Sequence, residues 1–161
     1  MRIRVFPDPV LREKAKEIRT SQARDTADAL ISSMRSSKGC VGVAAPQLGM
    51  LSRVAVVDVT GHKKASESHG LLVLVNPVIL HSEGAITGRE GCLSVPDFTG
   101  NVTRAEKIKV GFSGIDGADI VLETSGFEAV AIQHELDHLD GVLFIDRIRD
   151  MKRDLFRRKN Y

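Results

Sequence analysis

Tryptophan is absent from this sequence, tyrosine occurs once and phenylalanine six times. Any core must therefore be filled with Val, Ile, Leu and Ala rather than with large rings. Cysteine is almost as scarce. Cys40 and Cys92 are too few for a disulfide framework, which agrees with a reducing, cytoplasmic setting. No apolar run approaches the roughly 20 residues of a membrane helix. The longest, Leu71 to Val75 with Val78 to Leu80 after Asn76-Pro77, has strand length. The charged start, Met1 to Pro7, is followed by no apolar segment, so no secretory signal is expected. A formal net charge of +2 is too small to argue for nucleic acid. Neither a membrane nor a specific DNA partner is expected.

The 161 residues, 42% hydrophobic and 27% charged, suit one soluble domain over 1–161. Repeats, low-complexity tracts and linkers are missing. Ala27, Leu30, Ile31 and Met34 fall on one face of a helix that Thr20 and Ser21 would cap and Gly39 would end. Strand-like runs follow at 53–59, 71–80, 107–115 and 119–124, the last two joined across Asp116-Gly117. Residues 59–71 read as a polar surface loop. Ser125 and Glu128 have the spacing of a capping box and open a second helix through Phe127, Val130 and Ala131, which Gly141 stops. A short C-terminal helix is expected from about Asp146, with Ile148, Met151 and Leu155 on its inner side. Hairpin-linked strands with a late helix give an α+β class.

The sharpest chemical signal is His134-Glu135-Leu136-Asp137-His138. Four residues of helix turn through about 400°, so the two imidazoles point the same way and can grip one ion. Glu135 beside them can take a proton from water at that ion. A catalytic metal needs a third protein ligand. After His138 the chain has no further His and no Glu, and Asp140 is too close along the helix. Upstream, Cys92 in the run Glu90 to Ser94 stands out, with Gly91 freeing the backbone beside it. A third segment, Cys40 to Gly49, is rich in small residues and ends near the amide of Gln47.

Together these three segments resemble the peptide deformylase family. Its GxGxAAxQ motif is matched at Cys40 to Gln47, with Cys40 in place of the first glycine. Its EGCLS motif is complete at Glu90 to Ser94, and QHExDH at Gln133 to His138. The stretch Asp97 to Thr103 varies on the common bacterial pattern, and it and Cys40 bear on substrate preference more than on catalysis. The resemblance implies antiparallel sheets around a central HExxH-bearing helix, with an N-terminal and a short C-terminal helix. It implies removal of the N-formyl group from formyl-methionyl nascent peptides, with release of formate. Cys92, His134 and His138 would bind one divalent metal, Fe2+ by preference, with Zn2+, Ni2+ or Co2+ also suited to such donors. Glu135 would serve as general base and acid, and Gln47 with the Leu93 N–H as oxyanion donors. Val41, Gly42 and Gly91 would pair with the extended substrate backbone. Phe127, Val130 and Ala131 would either line the methionine pocket or fill the core. Arg104 would pair with Glu90 behind the ligand loop or form a merely structural ion pair. His62, His69 and His81 are assigned no role.

Two other readings stand beside this one: a general HExxH metallopeptidase and a non-catalytic binder of peptide termini. Residues 147–161, with seven basic and two acidic residues, are expected to form a basic C-terminal helix. It would be a solvated face, or a weak, salt-sensitive contact to the ribosome.

Overall fold

The computed structural model describes residues 2–159. A 13-residue helix, α1 (Arg24–Ser36), is followed by the strands β1 (Gly42–Ala44), β2 (Val54–Val57) and β3 (Leu72–Glu83). Then come β4 (Ile86–Cys92), β5 (Val95–Arg104), β6 (Lys107–Ser113) and β7 (Asp119–Ser125), and the helix α2 (Gly126–Leu139). A four-residue helix, α3 (Met151–Asp154), and a strand, β8 (Leu155–Arg157), end the described chain. All named strand pairs are antiparallel and fall into two sheets, β1-β2-β3-β6-β7 and β4-β5-β8.

The four residues of β2 are all buried, because the strand is covered on both faces. Val54 and Val56 join Ala27, Leu30 and Met34 of α1. Ala55 meets Leu139 of α2, and Val57 meets Ala129, Ile132 and Leu136. Period-2 alternation thus assigns one helix to each face. The other side of α2 carries its polar groups toward β4 and β5, which it meets through hydrogen bonds of His134 and Asp137.

Several local expectations give way to tertiary demands. Thr20 and Ser21 lie in a 3-10 turn, and Ala23, with no side-chain bond, starts α1. Ser125 occupies the N-cap of α2 but forms no capping box. Its N–H and hydroxyl both donate to Glu67, while the Glu128 carboxylate is fully buried against the Thr124 hydroxyl and the His69 backbone N–H. As expected of the run 71–80, β3 continues through Asn76-Pro77. Asn76, at φ +50°, is clamped by both backbone groups of Ile18, and the ladder shifts register between Val75 and Val78. Pro77 is tolerated because a bulge leaves its missing N–H unneeded.

The expected short C-terminal helix is present as α3, but its span over 147–161 is corrected. Phe144–Arg147 is a 3-10 turn, Asp150 caps the single turn of α3, and Leu155–Arg157 pairs with Phe98 to Gly100 of β5. The open edge of β5 offers the tail ladder hydrogen bonds that a frayed helix end cannot match. Ile148 is buried as expected, but Met151 is half exposed. Asn160 and Tyr161 lie outside the described residues.

Gly141 ends α2 at φ +76°, and a Cβ there would run into the backbone carbonyl of Arg12. Gly141→Ala should therefore destabilise the protein by about 2 kcal/mol or more, read as a lower urea midpoint. Gly39→Ala, at φ +75° in open space, should cost only about 1 kcal/mol. Equal shifts would contradict the Arg12 contact.

Candidate metal centre

The bulge between Gly91 and Cys92 ends β4 and brings the Cys92 thiol to α2. There the donor atoms of Cys92, His134 and His138 all lie within 4.8 Å of one another. Cys92 Sγ is 3.3 Å from His138 Nε2. His134 Nδ1 donates to Glu90 Oε1 at 2.8 Å, because a carboxylate only accepts, and this leaves Nε2 for the cluster.

Glu90 is tied down from a second side. Arg104 Nε and Nη2 donate to its two oxygens at 2.7 and 3.0 Å, and Nη1 reaches Asp137 at 2.9 Å. Burial alone would raise the Glu90 carboxyl, but hydrogen bonds from His134 and Arg104 overcome this and hold it down at about 2. Burial pushes Glu135 the other way, up to about 7, opposed by His134 and Arg104. The two histidines diverge. Burial and the neighbouring cations hold His138 well below the usual value. His134 is raised well above it, because hydrogen bonds to Cys92 and Glu90 outweigh its own burial. One thiolate and two imidazoles fit Fe2+, Zn2+, Ni2+ or Co2+.

One oxygen of Glu135, Oε1, is buried with no hydrogen-bond partner. A buried oxygen without a partner is costly. Gly42 makes room for this carboxylate, since a Cβ there would lie 2.6 Å from Glu135 Oε2. Gln47, 1% exposed, accepts from the Ala44 N–H at 3.0 Å, which fixes its amide orientation. Its NH2 then points at Ser94 Oγ (3.0 Å) and Cys92 Sγ (3.4 Å).

These groups share one cleft of about 260 Å³. Val41, Gly42, Gln47, Gly91, Leu93, Phe127, Val130 and Ala131 all line it with Cys92, His134 and Glu135, while His138 lies beneath, 1% exposed. Phe127 and Ala131 also join the buried cluster of α2, so pocket and core are one surface. Two edge strands border the cleft: β1 ends the five-stranded sheet and β4 the three-stranded one.

Sequence patterns missed part of the wall. His62, assigned no role, stacks on Phe127 with ring centroids 4.3 Å apart. Lys38, Lys64, Arg89 and Arg158 line the cleft as well. No motif marks them; only the folded loops bring them there. Cys40 stands apart from the ligand cluster, with its S–H donated to the Gly42 carbonyl and burial raising its pKa to about 11. Cys92→Ala should thus strip the metal, whereas Cys40→Gly should keep it. Metal analysis of the purified variants decides, and loss from Cys40→Gly would move the third ligand.

The sequence profile of the polypeptide deformylase family matches residues 1–154. A peptide deformylase of Thermodesulfovibrio yellowstonii is 42% identical over 161 residues, covering 99% of this chain and 95% of that protein. The crystal structure of the Thermotoga maritima peptide deformylase is 39% identical and superposes with a TM-score of 0.83, covering 92% of this chain and 97% of that one. A class I type b peptide deformylase from Acinetobacter baumannii, solved with Met-Ala-Ser bound, gives a TM-score of 0.85 at 33% identity, with 92% and 98% covered. With its three motifs meeting in one cleft and relatives matched over nearly its whole length, the chain belongs to the polypeptide deformylase family, hydrolases that act on formyl-methionyl peptides.

Proposed function

We propose that this cleft hydrolyses the N-formyl group of nascent polypeptides beginning with formyl-methionine. The observation that carries the proposal is the Cys92, His134 and His138 cluster with Glu135, one oxygen of which has no partner, at a cleft bordered by two edge strands.

An extended peptide entering between β1 and β4 can pair with both edges, at Val41 and Gly42 on one side and Gly91 on the other. The methionine side chain then lies against Phe127, Val130 and Ala131, with His62 stacked behind Phe127. The Met-Ala-Ser held by the Acinetobacter baumannii relative has the chemistry of such a product. A divalent ion held by Cys92, His134 and His138, most readily Fe2+ in a reducing cytoplasm, would act as a Lewis acid and make water more acidic.

Glu135 takes one proton from the attacking water at Oε1, and the water oxygen bonds to the formyl carbon. The NH2 group of Gln47 and the backbone N–H of Leu93 donate to the oxygen that becomes negative. Glu135 then passes its proton to the peptide nitrogen, the C–N bond breaks, and formate and a free amino terminus leave. A carboxyl with a pKa of about 7 is matched to both tasks near neutral pH. The Ala44 N–H holds Gln47 in its orientation beforehand, and its NH2 exchanges a bond to Ser94 or Cys92 for one to the substrate oxygen.

Glu135→Gln should retain metal yet lose about 10² to 10⁴ in kcat on formyl-Met-Ala-Ser. Gly42→Ala should also lose activity, because the added methyl would meet Oε2, Cγ and Cδ of Glu135 at 2.6 to 3.0 Å and displace that carboxylate. Formate release, measured anaerobically with metal content and with unformylated Met-Ala-Ser as control, tests both. Normal turnover by metal-loaded Glu135→Gln would remove it as the base.

The tail also presents Arg149, Lys152 and Arg153 to solvent. We propose that they give weak ribosome contact through phosphate charge. Arg149, Lys152 and Arg153 changed together to Glu should abolish co-sedimentation with ribosomes at low salt. Equal co-sedimentation by wild type and variant would dismiss it.

A further inference from the structure

Four cations line the cleft: Lys38, Lys64, Arg89 and Arg158. The carboxylates that line it, Glu90 and Glu135, are both buried, and Glu90 is saturated by Arg104 and His134. Among the described residues, none of the four cations forms an ion pair. The open part of the cleft is therefore positive, although the chain as a whole is nearly neutral.

Two of the four are held firmly. The Arg158 N–H donates to the Asp97 carbonyl at 2.8 Å, which extends the pairing of β8 along β5 by one residue. From there the guanidinium crosses to the edge of β4. One of its nitrogens occupies the place where a side chain on Gly91 would begin. Its Nε is buried without a hydrogen-bond partner. Arg89, on β4 itself, has its guanidinium carbon 3.7 Å from the Phe156 ring centroid. The tail strand thus fixes one arginine by its backbone and the other by an aromatic face.

We propose that Arg158, supported by Arg89, selects substrates that carry a carboxylate shortly after the formyl-methionine. The preferred class is formyl peptides with Asp or Glu among residues two to four. The inference rests on the proposed deformylation and adds its substrate class. A peptide paired beside Gly91 runs past the Arg158 guanidinium, one terminal nitrogen of which lies against that glycine, and an acidic side chain there can pair with it. A lysine at the same place meets four like charges. In an extended peptide alternate side chains share a face. The response therefore falls on one parity, either residues two and four or residue three alone.

The test uses metal-loaded protein and C-terminally amidated formyl-Met-Asp-Ser-Ser, formyl-Met-Ser-Asp-Ser and formyl-Met-Ser-Ser-Asp, each beside its lysine counterpart. At the responsive position, kcat/KM should favour Asp over Lys about tenfold at low salt, mainly through KM, and the ratio should shrink as salt rises. Arg158→Ala should bring the ratio within about twofold, Arg158→Glu should invert it, and Arg158→Lys should keep much of it. Because each variant is judged by its own ratio, a general loss of activity does not blur the result. Fluorescence anisotropy of the same labelled peptides, without the formyl group, reads the preference in binding alone. A wild type that turns over Asp and Lys peptides equally, or an Arg158→Ala ratio unchanged from wild type, overturns the inference. Absence of turnover on every formyl peptide, with the Arg158-dependent preference intact in binding, instead sinks the deformylation reading and leaves this one standing.

Discussion

The Glu90 carboxylate is the joint on which the site hangs. Both of its oxygens are engaged by Arg104 of β5, and one also accepts from His134 of α2. Arg104 in turn reaches Asp137, whose carboxylate is gripped at the surface by Arg147 at 2.8 and 2.9 Å. Charges buried this deeply are costly to desolvate, and removing one partner of such a pair strands the others at a cost of about 3–5 kcal/mol. What the network provides is position. It locks the hairpin that ends in Cys92 onto the helix that carries His134 and His138, in the orientation that aims three donors at one point. The depressed Glu90 and the elevated Glu135 follow from the same arrangement. One carboxylate lies among donors, and the other in a buried place with an oxygen left over.

The parts of the fold that were legible in the sequence are those in which side chains alone dictate the element. The face formed by Ala27, Leu30 and Met34 marks α1, and all three residues are buried. The unbroken apolar run marks β2 and the start of β3. By contrast β4, Ile86 to Cys92, has two glycines and three charged or hydroxylated residues among seven. No propensity draws it into a strand. It is extended because β5 pairs with it from Ile86↔Arg104 to Cys92↔Val95. The tail keeps only the single helical turn of α3 for a related reason. Its periodicity is sound, but an unfilled strand edge lies within reach, and pairing along that edge wins over three or four more residues of exposed helix.

The grouping of Cys92, His134 and His138 was legible because metal chemistry needs rare residue types at fixed spacing, and two histidines four residues apart share one face of a helix. Arg104 was legible only as an alternative, since nothing along the chain separates an ion pair that orients a ligand from one that does not. The bond from Glu90 to His134 supplies that difference. His62 was invisible. It sits in a loop without pattern and reaches Phe127 only because residues 58–71 fold back over the cleft.

A cleft built from two strand edges has a built-in limitation, and the tail bears on it. Backbone pairing is indifferent to side chains, so β1 and β4 can hold any extended peptide with the same bonds. On the proposed reading a bound metal, Glu135 and Gln47 would respond to the formyl group, and the apolar pocket beside α2 to the first side chain. Nothing in the three motifs responds to the residues beyond. Discrimination there has to come from elements that the motifs do not specify, and among the described residues Arg158, which follows β8, lies against Gly91 of that strand. Gly91 makes this possible twice. Lacking a Cβ, it lets a substrate backbone approach the β4 edge and leaves room for the Arg158 guanidinium on the face beside it. Any side chain at that position would expel the arginine and leave the edge selective for backbone alone.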